Sequence, residues 1–462
     1  MVLQIQMKIL LINPPVDKII EPLHDSPEYM HVGLAHLYSS LKKFTNTNVS
    51  FIDCKFLKKD KNWLLNKIKN TKPDIVGFTA KTLEIDNVLY LCKEIKKICP
   101  CKIIIGGPHA TGDFEYIIKN ENVDFVGISE FETGFIMLIN ALIENKSDFS
   151  HINSLVWKKN NKIIKNRVLS CEKKHIGRVL WEDFPKASKY YIMAIRGCPQ
   201  RCIFCMRVLG NIPFYREINE VIDEIEIIYK VNPQALIEFG DETFTLNSEY
   251  ITKLKDELKK RNLIYGKKGF IASTRIDKLN LDIIKKLKSA GFKKLIVGIE
   301  SGDKHILELC KKDIDIKKAL KVSKYIRQSG ILLECNFMVG LPGENFLSII
   351  KTALIASRLR ANSISVSIAC PYPGTELYKM CKKNKYGLKL ISSDYIDFNN
   401  ELGNALEHEN FSRKSLEIAQ LFIYIFSYLG SLRFKEFLVF CHDYRKEAIS
   451  YLKHFFKKDL LK

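Results

Sequence analysis

The chain has 462 residues, 46% of them hydrophobic and 27% charged, with a formal net charge of +21 and 13 cysteines. That length exceeds one ordinary core and suits two or three globular domains, and the composition excludes a disordered chain. The positive charge is mostly lysine scattered over amphipathic segments, without an arginine-rich block interleaved with aromatics, so nucleic acid is not an expected partner.

The amino-terminal stretch MVLQIQMKILLINPP lacks the basic start and small-residue cleavage site of a signal peptide, which makes the cytoplasm the expected location. Without a secretory signal, a disulfide framework is not expected either. The isolated Cys54, Cys92, Cys335 and Cys441 read as small core residues. Over residues 1–150 short apolar runs alternate with helical patterns: KILLIN, VSFIDC, DIVGFTA, KIIIGGP and VDFVGIS each precede an amphipathic segment. Such strand–helix units predict a doubly wound parallel sheet. Residues 151–189 are expected as a hairpin, SLVWKKNNKIIKNR with an asparagine turn, and a linker.

The alternation restarts at 190 and runs to 375, with strands predicted at YYIMAI, ALIEFG, GFIAS, KKLIVGIE, LECNFMVG and SISVSIAC. Six units are too few for a closed eight-stranded β/α barrel and predict a partial one. Residues 376–462 read as mostly helical. Their most apolar run, LFIYIFSYLG, is about half the ~20 residues that span a bilayer, so it is expected as a buried helix and no membrane insertion is expected.

After the first strand of the second region comes Arg196-Gly197, then Cys198-Pro-Gln-Arg-Cys202-Ile-Phe-Cys205. Glycine and proline make this a loop on which three thiolates can converge. Structural zinc takes four ligands and no fourth cysteine lies close by, whereas three ligands on a four-iron cluster leave one iron open. Residues 190–375 resemble the radical S-adenosylmethionine (SAM) superfamily in this motif and in the segments that follow. The resemblance implies that Cys198, Cys202 and Cys205 hold an oxygen-sensitive [4Fe–4S] cluster whose open iron chelates SAM, with Phe204 near the adenine. FGDETF (239–244) stands where the family has Gly-Gly-Glu, so Gly240, Asp241 and Glu242 would face the methionine amine, Asp-Glu replacing Gly-Glu. STRID supplies Ser273 and Arg275, GIES supplies Glu300 for ribose or amine, VGLPGE turns against the adenine, and PYPGTELY closes the sixth strand. Independently of the family, all these polar motifs follow an apolar run, and ligand sites in parallel β/α folds form at strand carboxyl ends.

The first region resembles cobalamin-binding domains through INPP (12–15), GLAHL (33–37), FTAKT (78–82), GGPHAT (106–111) and GISEFE (127–132). The resemblance assigns Thr79, Gly106, Gly107, Pro108, His109 and Glu130 to cobalamin. No Asp-x-His-x-x-Gly run follows the first strand, so a lower-face histidine for cobalt is not evident; His24, His31 and His36 read as structural or surface residues. The implied activity is reductive cleavage of SAM to a 5′-deoxyadenosyl radical, then methylation of an unactivated carbon or phosphorus of a small molecule or peptide. A flavodoxin- or ferredoxin-type electron donor is implied with it. An oxidative cyclase or ring-rearranging enzyme with the same cofactors is the alternative, and a non-enzymatic cobalamin or redox sensor a weaker one. An RNA methylthiolating enzyme would need a second three-cysteine cluster, which Cys54, Cys92, Cys99 and Cys101 do not supply. Asp394, Tyr395 and the aromatic 422–444 stretch are candidates for lining a substrate pocket, against the simpler reading of helical core.

Overall fold

The computed structural model describes residues 6–15, 28–264, 269–399 and 405–443; His24 lies outside them. The first sheet contains β1 (Lys8–Asn13), β2 (Asn48–Asp53), β3 (Ile75–Thr79), β4 (Lys102–Gly106), β5 (Phe125–Gly127), β6 (Leu155–Lys159) and β7 (Lys162–Lys165) in the order β2-β1-β3-β4-β5-β6-β7. Pairing is parallel from β2 to β5 and antiparallel from β5 to β7. The near-continuous apolar runs of β1, β3 and β4 follow from burial on both faces. Those faces are covered by α1 (Val32–Phe44), α2 (Lys61–Thr71), α3 (Ile85–Ile98), α4 (Pro108–Gly112), α5 (Phe114–Lys119) and α6 (Glu132–Ile143). The 151–189 hairpin therefore does not stand apart. It turns at Asn160 and Asn161, both at positive φ, and extends the first sheet through β5 and β6.

The second sheet holds β8 (Lys189–Ile192), β11 (Leu236–Phe239), β12 (Phe270–Thr274), β13 (Phe292–Glu300), β14 (Leu332–Val339) and β15 (Ser363–Ile368), all parallel and in chain order across the sheet. A short antiparallel pair, β9 (Ile195–Arg196) with β10 (Phe214–Tyr215), sits beside it. Helices α7 (Ile218–Val231), α8 (Ser248–Lys260), α9 (Leu281–Ser289), α10 (Lys304–Leu309), α11 (Ile316–Gln328) and α12 (Phe346–Leu359) connect the strands. Along β14, Leu333, Cys335, Phe337 and Val339 are buried in the core beneath the helices, while Glu334, Asn336 and Met338 are only half-buried. This period-2 split leaves a polar lumen inside the partial barrel.

The carboxyl-terminal region contains α13 (Glu376–Lys382), a small pair β16 (Leu388–Leu390) and β17 (Leu406–His408), α14 (Arg413–Leu429) and α15 (Phe434–Asp443). The strand pair is an addition to the expected helices. Helix α14 closes the free edge of the barrel: Gln420 Nε2 donates to Val366 O at 2.5 Å and Tyr424 Oη accepts from Val366 N at 2.9 Å. The LFIYIFSYLG run lies in α14 and its end and is amphipathic rather than buried, with Ile423 and Tyr428 inside and Leu421 and Phe422 exposed. Among the described residues no helix is long and apolar enough to cross a membrane. Cys54, Cys92 and Cys335 are core residues, but Cys441 is exposed on α15.

Candidate active site

The loop from Gly197 to Pro213 is pinned at its base by the β9–β10 pair and enters through Gly197 at φ +86°. Cys205 N donates to Cys202 O at 3.2 Å, and Ile203 N to Cys310 O at 3.2 Å, which fixes the turn against the barrel. Cys202 is buried, Cys198 half-buried and Cys205 exposed. The Cys198 Sγ lies 3.5 Å from Thr243 Oγ1. The hydrogen bond from Cys205 lowers the Cys202 thiol, against burial, and the charges of Lys312 and Arg275 act in the same direction. Among the described residues no group of three His, Cys, Asp or Glu side chains is arranged for a single metal ion.

Strand carboxyl ends surround this loop. Glu300, at φ +68°, pairs with Lys312 at 2.8 Å in a buried contact. Arg275 donates to Asp277 Oδ1 at 2.8 Å and to Asp313 O at 3.1 Å, and its Nη1 is 3.9 Å from Cys202 Sγ. Phe204 lies with its ring centroid 6.0 Å from Lys312 Nζ. Gly240 N donates to Ile192 O, and Ser273 O accepts from Phe244 N. The two acids after β11 part company. Asp241 accepts the backbone N–H groups of Ala194 and Ile195, and burial, against those amides, pushes its pKa up to about 7. Glu242 instead keeps a buried Oε2 without a protein partner, and burial followed by the charge of Glu130 raises it to about 7. Glu242 is thus the acid available to a ligand, while Asp241 holds the β8–β9 backbone.

At the carboxyl ends of the first sheet, Thr79 faces the backbone of Gly107: a Cβ there would stand 2.6 Å from Thr79 Oγ1 and 2.9 Å from Ala80 N, so only glycine fits. Gly106 accepts from Ala80 N, and Pro108 is the first residue of α4. His109 is fully buried, its Nδ1 is 3.3 Å from Thr82 Oγ1 and its Nε2 has no partner. Burial lowers it to about 4, and the ring packs against Tyr395 at 4.5 Å. His31 accepts from Leu34 N at the start of α1, and burial together with Arg196 and Arg216 drives His36 well down. Tyr395 donates to Asp113 Oδ2 at 2.6 Å, so it belongs to the core under the first sheet rather than to a pocket of the carboxyl-terminal region.

The two sets of strand ends face each other. A Cβ on Gly112 would overlap the Pro373 carbonyl oxygen and come within 2.8 Å of Met206 Cε, next to Cys205. Ser129 Oγ donates to Val208 O in the cysteine loop at 2.8 Å. Behind them, Arg196 binds Glu132 at 2.6 Å and Glu130 at 3.4 Å, all three buried. Glu130 therefore clamps the root of the cysteine loop.

The model of the radical SAM superfamily matches residues 192–355 and that of the B12 binding domain residues 26–139. The chain is a B12-binding radical SAM enzyme. Such a barrel is the seat of a [4Fe–4S] cluster and SAM, and such a first domain the seat of cobalamin. The enzyme is 29% identical over 394 residues to an uncharacterized methyltransferase of Pyrococcus horikoshii, covering 82% of this chain and 84% of the relative. It is 24% identical over 370 residues to an anaerobic magnesium-protoporphyrin IX monomethyl ester cyclase of Rubrivivax gelatinosus, covering 75% and 65%. Its fold matches the radical SAM methyltransferase TsrM of Kitasatospora setae, solved with cobalamin and a [4Fe–4S] cluster, at a TM-score of 0.74 and 15% identity over 91% of this chain and 89% of that one.

The residues present fit these groups. Three soft thiols on one loop, with two cations beside the buried one, suit an anionic iron–sulfur cluster. The Glu242 Oε2 and Asn336 Oδ1 acceptors, both buried without partners, suit a ligand that carries ammonium and hydroxyl donors. Thr79, Ala80 and Gly107 pack on one another, while Gly106 has only backbone oxygens of Gly127 and Phe78 within 4 Å of an added Cβ, so the edge of the first sheet's crevice carries no side chain that would obstruct a bulky ligand there. Lys312, Asn336 and Arg196 were not among the residues expected from sequence. Only Asn336 has a local signal, a polar residue in step with Glu334 on the period-2 face of an otherwise apolar strand.

Proposed function

We propose that the enzyme is a cobalamin-dependent radical methyltransferase acting on an unactivated carbon, or a phosphorus centre, of a small molecule or peptide. The observation that carries this reading is the contact of the two strand-end mouths at Gly112, Pro373 and Met206. A ligand over the first sheet and one in the barrel lumen then share one space. When bound, the cofactors supply a one-electron donor, a carbon radical and a transferable methyl group. Cys198, Cys202 and Cys205 hold the iron, and Arg275 and Lys312 favour the thiolate of Cys202. Glu242 accepts from the amine of SAM, Asn336 from a nucleoside hydroxyl, and the apposed loops keep water from the reacting atoms. A flavodoxin- or ferredoxin-type donor provides the electron.

The relationship to a cyclase favours a second reading, oxidative cyclisation with the same cofactors and no methyl transfer. One anaerobic assay with reductant, cobalamin and SAM separates the two. Methyl transfer yields S-adenosylhomocysteine beside 5′-deoxyadenosine, whereas cyclisation yields only the latter. Replacing Cys198, Cys202 and Cys205 together by alanine is expected to abolish iron–sulfur absorption and 5′-deoxyadenosine. Retention of either overturns the cluster assignment.

A further inference from the structure

Helix α14 meets the barrel with one face and turns a second apolar face away from it. Leu416, Ala419, Ile423 and Ser427 are buried, on the side from which Gln420 and Tyr424 reach Val366 at the barrel edge. At about 100° per residue, Ile418, Leu421, Phe422 and Ile425 fall on the opposite side. They recur at the i, i+3, i+4 and i+7 spacing of a stripe meant for burial, yet each is more than a third exposed. The residues after the helix add to this surface. Leu432 N donates to Leu429 O and Arg433 N to Tyr428 O, both at 3.0 Å, and the Tyr428 and Phe437 rings lie 6.2 Å apart, so α15 turns back against the end of α14. Leu432, Phe434, Leu438 and Val439 are all more than half exposed.

Eight large apolar side chains at those exposures amount to several hundred Å², on the scale of the about 800 Å² that each partner gives to a stable interface. A monomeric soluble protein rarely leaves that much apolar surface in water. From Ser415 to Leu429 the only charged residue is Glu417, and Arg413 holds it at 3.0 Å. The rim adds the exposed Lys414, Lys435 and Glu436. Both signs are present there, so no strong field marks the surface for an anionic lipid or a highly charged protein. An apolar stripe of this kind is instead complementary to itself. Turned antiparallel about a two-fold axis between Leu421 and Ile425, its ridges meet the same ridges on another copy.

We propose that the enzyme is a homodimer in which α14 and the Leu432–Val439 stretch of one copy pack antiparallel against the same elements of a second copy. The helix then has two tasks, closing its own barrel with one face and joining two chains with the other.

The test is the mass of the cluster- and cobalamin-loaded full chain, measured by light scattering during size-exclusion chromatography. The wild type is expected to run as two chains. L421E/I425E changes only exposed positions and is expected to run as one chain, with the dimer dissociation constant raised at least a hundredfold and iron–sulfur absorption retained. L421K/I425K is expected to do the same. An equal mixture of the two variants is expected to return to two chains, because the antiparallel arrangement brings Leu421 of one copy to Ile425 of the other. A single-chain mass for the wild type overturns the proposal, as does a dimer indifferent to the glutamate variant or a mixture that stays single. Where the wild type is single, two measurements identify the other occupant. Cosedimentation with phosphatidylglycerol vesicles that is lost in L421E/I425E gives the face to a lipid surface. A rise in the binding of an apolar dye on removal of residues 444–462 gives it to the end of the same chain.

Discussion

Glu242 and Asp241 are adjacent acids with opposite fates, and the difference is one of partners. Both are pushed up to about 7 by burial, but Asp241 is engaged by two backbone amides while Glu242 has an oxygen facing no protein donor. A cationic ligand must find Glu242 ionised. Below about 7 the carboxyl is protonated and has to release its proton on binding, so SAM affinity is expected to rise with pH up to that point and level off above it. Glu242→Gln is expected to remove this slope and weaken binding by about tenfold to a hundredfold, the worth of a hydrogen bond to a charged group at about 1.5–3 kcal/mol. Equilibrium dialysis across pH 5.5–8.5 measures both effects; any slope left in the variant belongs to other acids, Asp241 first. The sequence placed both acids at a strand end but could not separate them, because the amides that capture Asp241 belong to Ala194 and Ile195, far away in the chain.

Among the elements, the cysteine loop is the clearest case of local information. Three cysteines, Gly197 and Pro199 lie within one stretch, and the stretch folds as a loop. What anchors the loop was not legible. Arg196 reads as an ordinary strand end until Glu130 and Glu132 of the first domain meet it, and those residues are read in sequence as part of a cobalamin motif. Arg196→Met is expected to leave two buried carboxylates without their cation and to destabilise the fold by about 3–5 kcal/mol. Denaturant midpoints measure this, and a shift below about 1 kcal/mol would mean that the trio behaves as a solvated surface pair. The hairpin shows the same division. Asn160-Asn161 announces its turn, but nothing local tells which sheet it will join, since the pairing of β6 with β5 is set by contacts between separated segments.

For the molecule as a whole, alternating apolar runs were enough to read a doubly wound sheet followed by six barrel strands. The way the barrel is finished was not, because α14 closes the edge of β15 with two side chains, Gln420 and Tyr424, on a helix whose pattern resembles any amphipathic surface helix. Nor was the apposition of the two mouths, which depends on Gly112 having no side chain. Gly112→Val is expected to pry the domains apart at Pro373 and Met206. The expected result is 5′-deoxyadenosine formation within about threefold of wild type, with S-adenosylhomocysteine down at least tenfold, a difference of about 1.4 kcal/mol or more in the coupled step. Equal loss of both products would show that the contact supports the barrel rather than the meeting of two ligands.

The most direct test of that meeting is electron paramagnetic resonance of the anaerobic enzyme loaded with cob(II)alamin and a reduced [4Fe–4S] cluster. The facing strand ends predict a dipolar splitting or enhanced relaxation of the cobalt signal that disappears when Cys198, Cys202 and Cys205 are replaced. A cobalt spectrum identical with and without the reduced cluster would contradict the shared space on which the whole account depends.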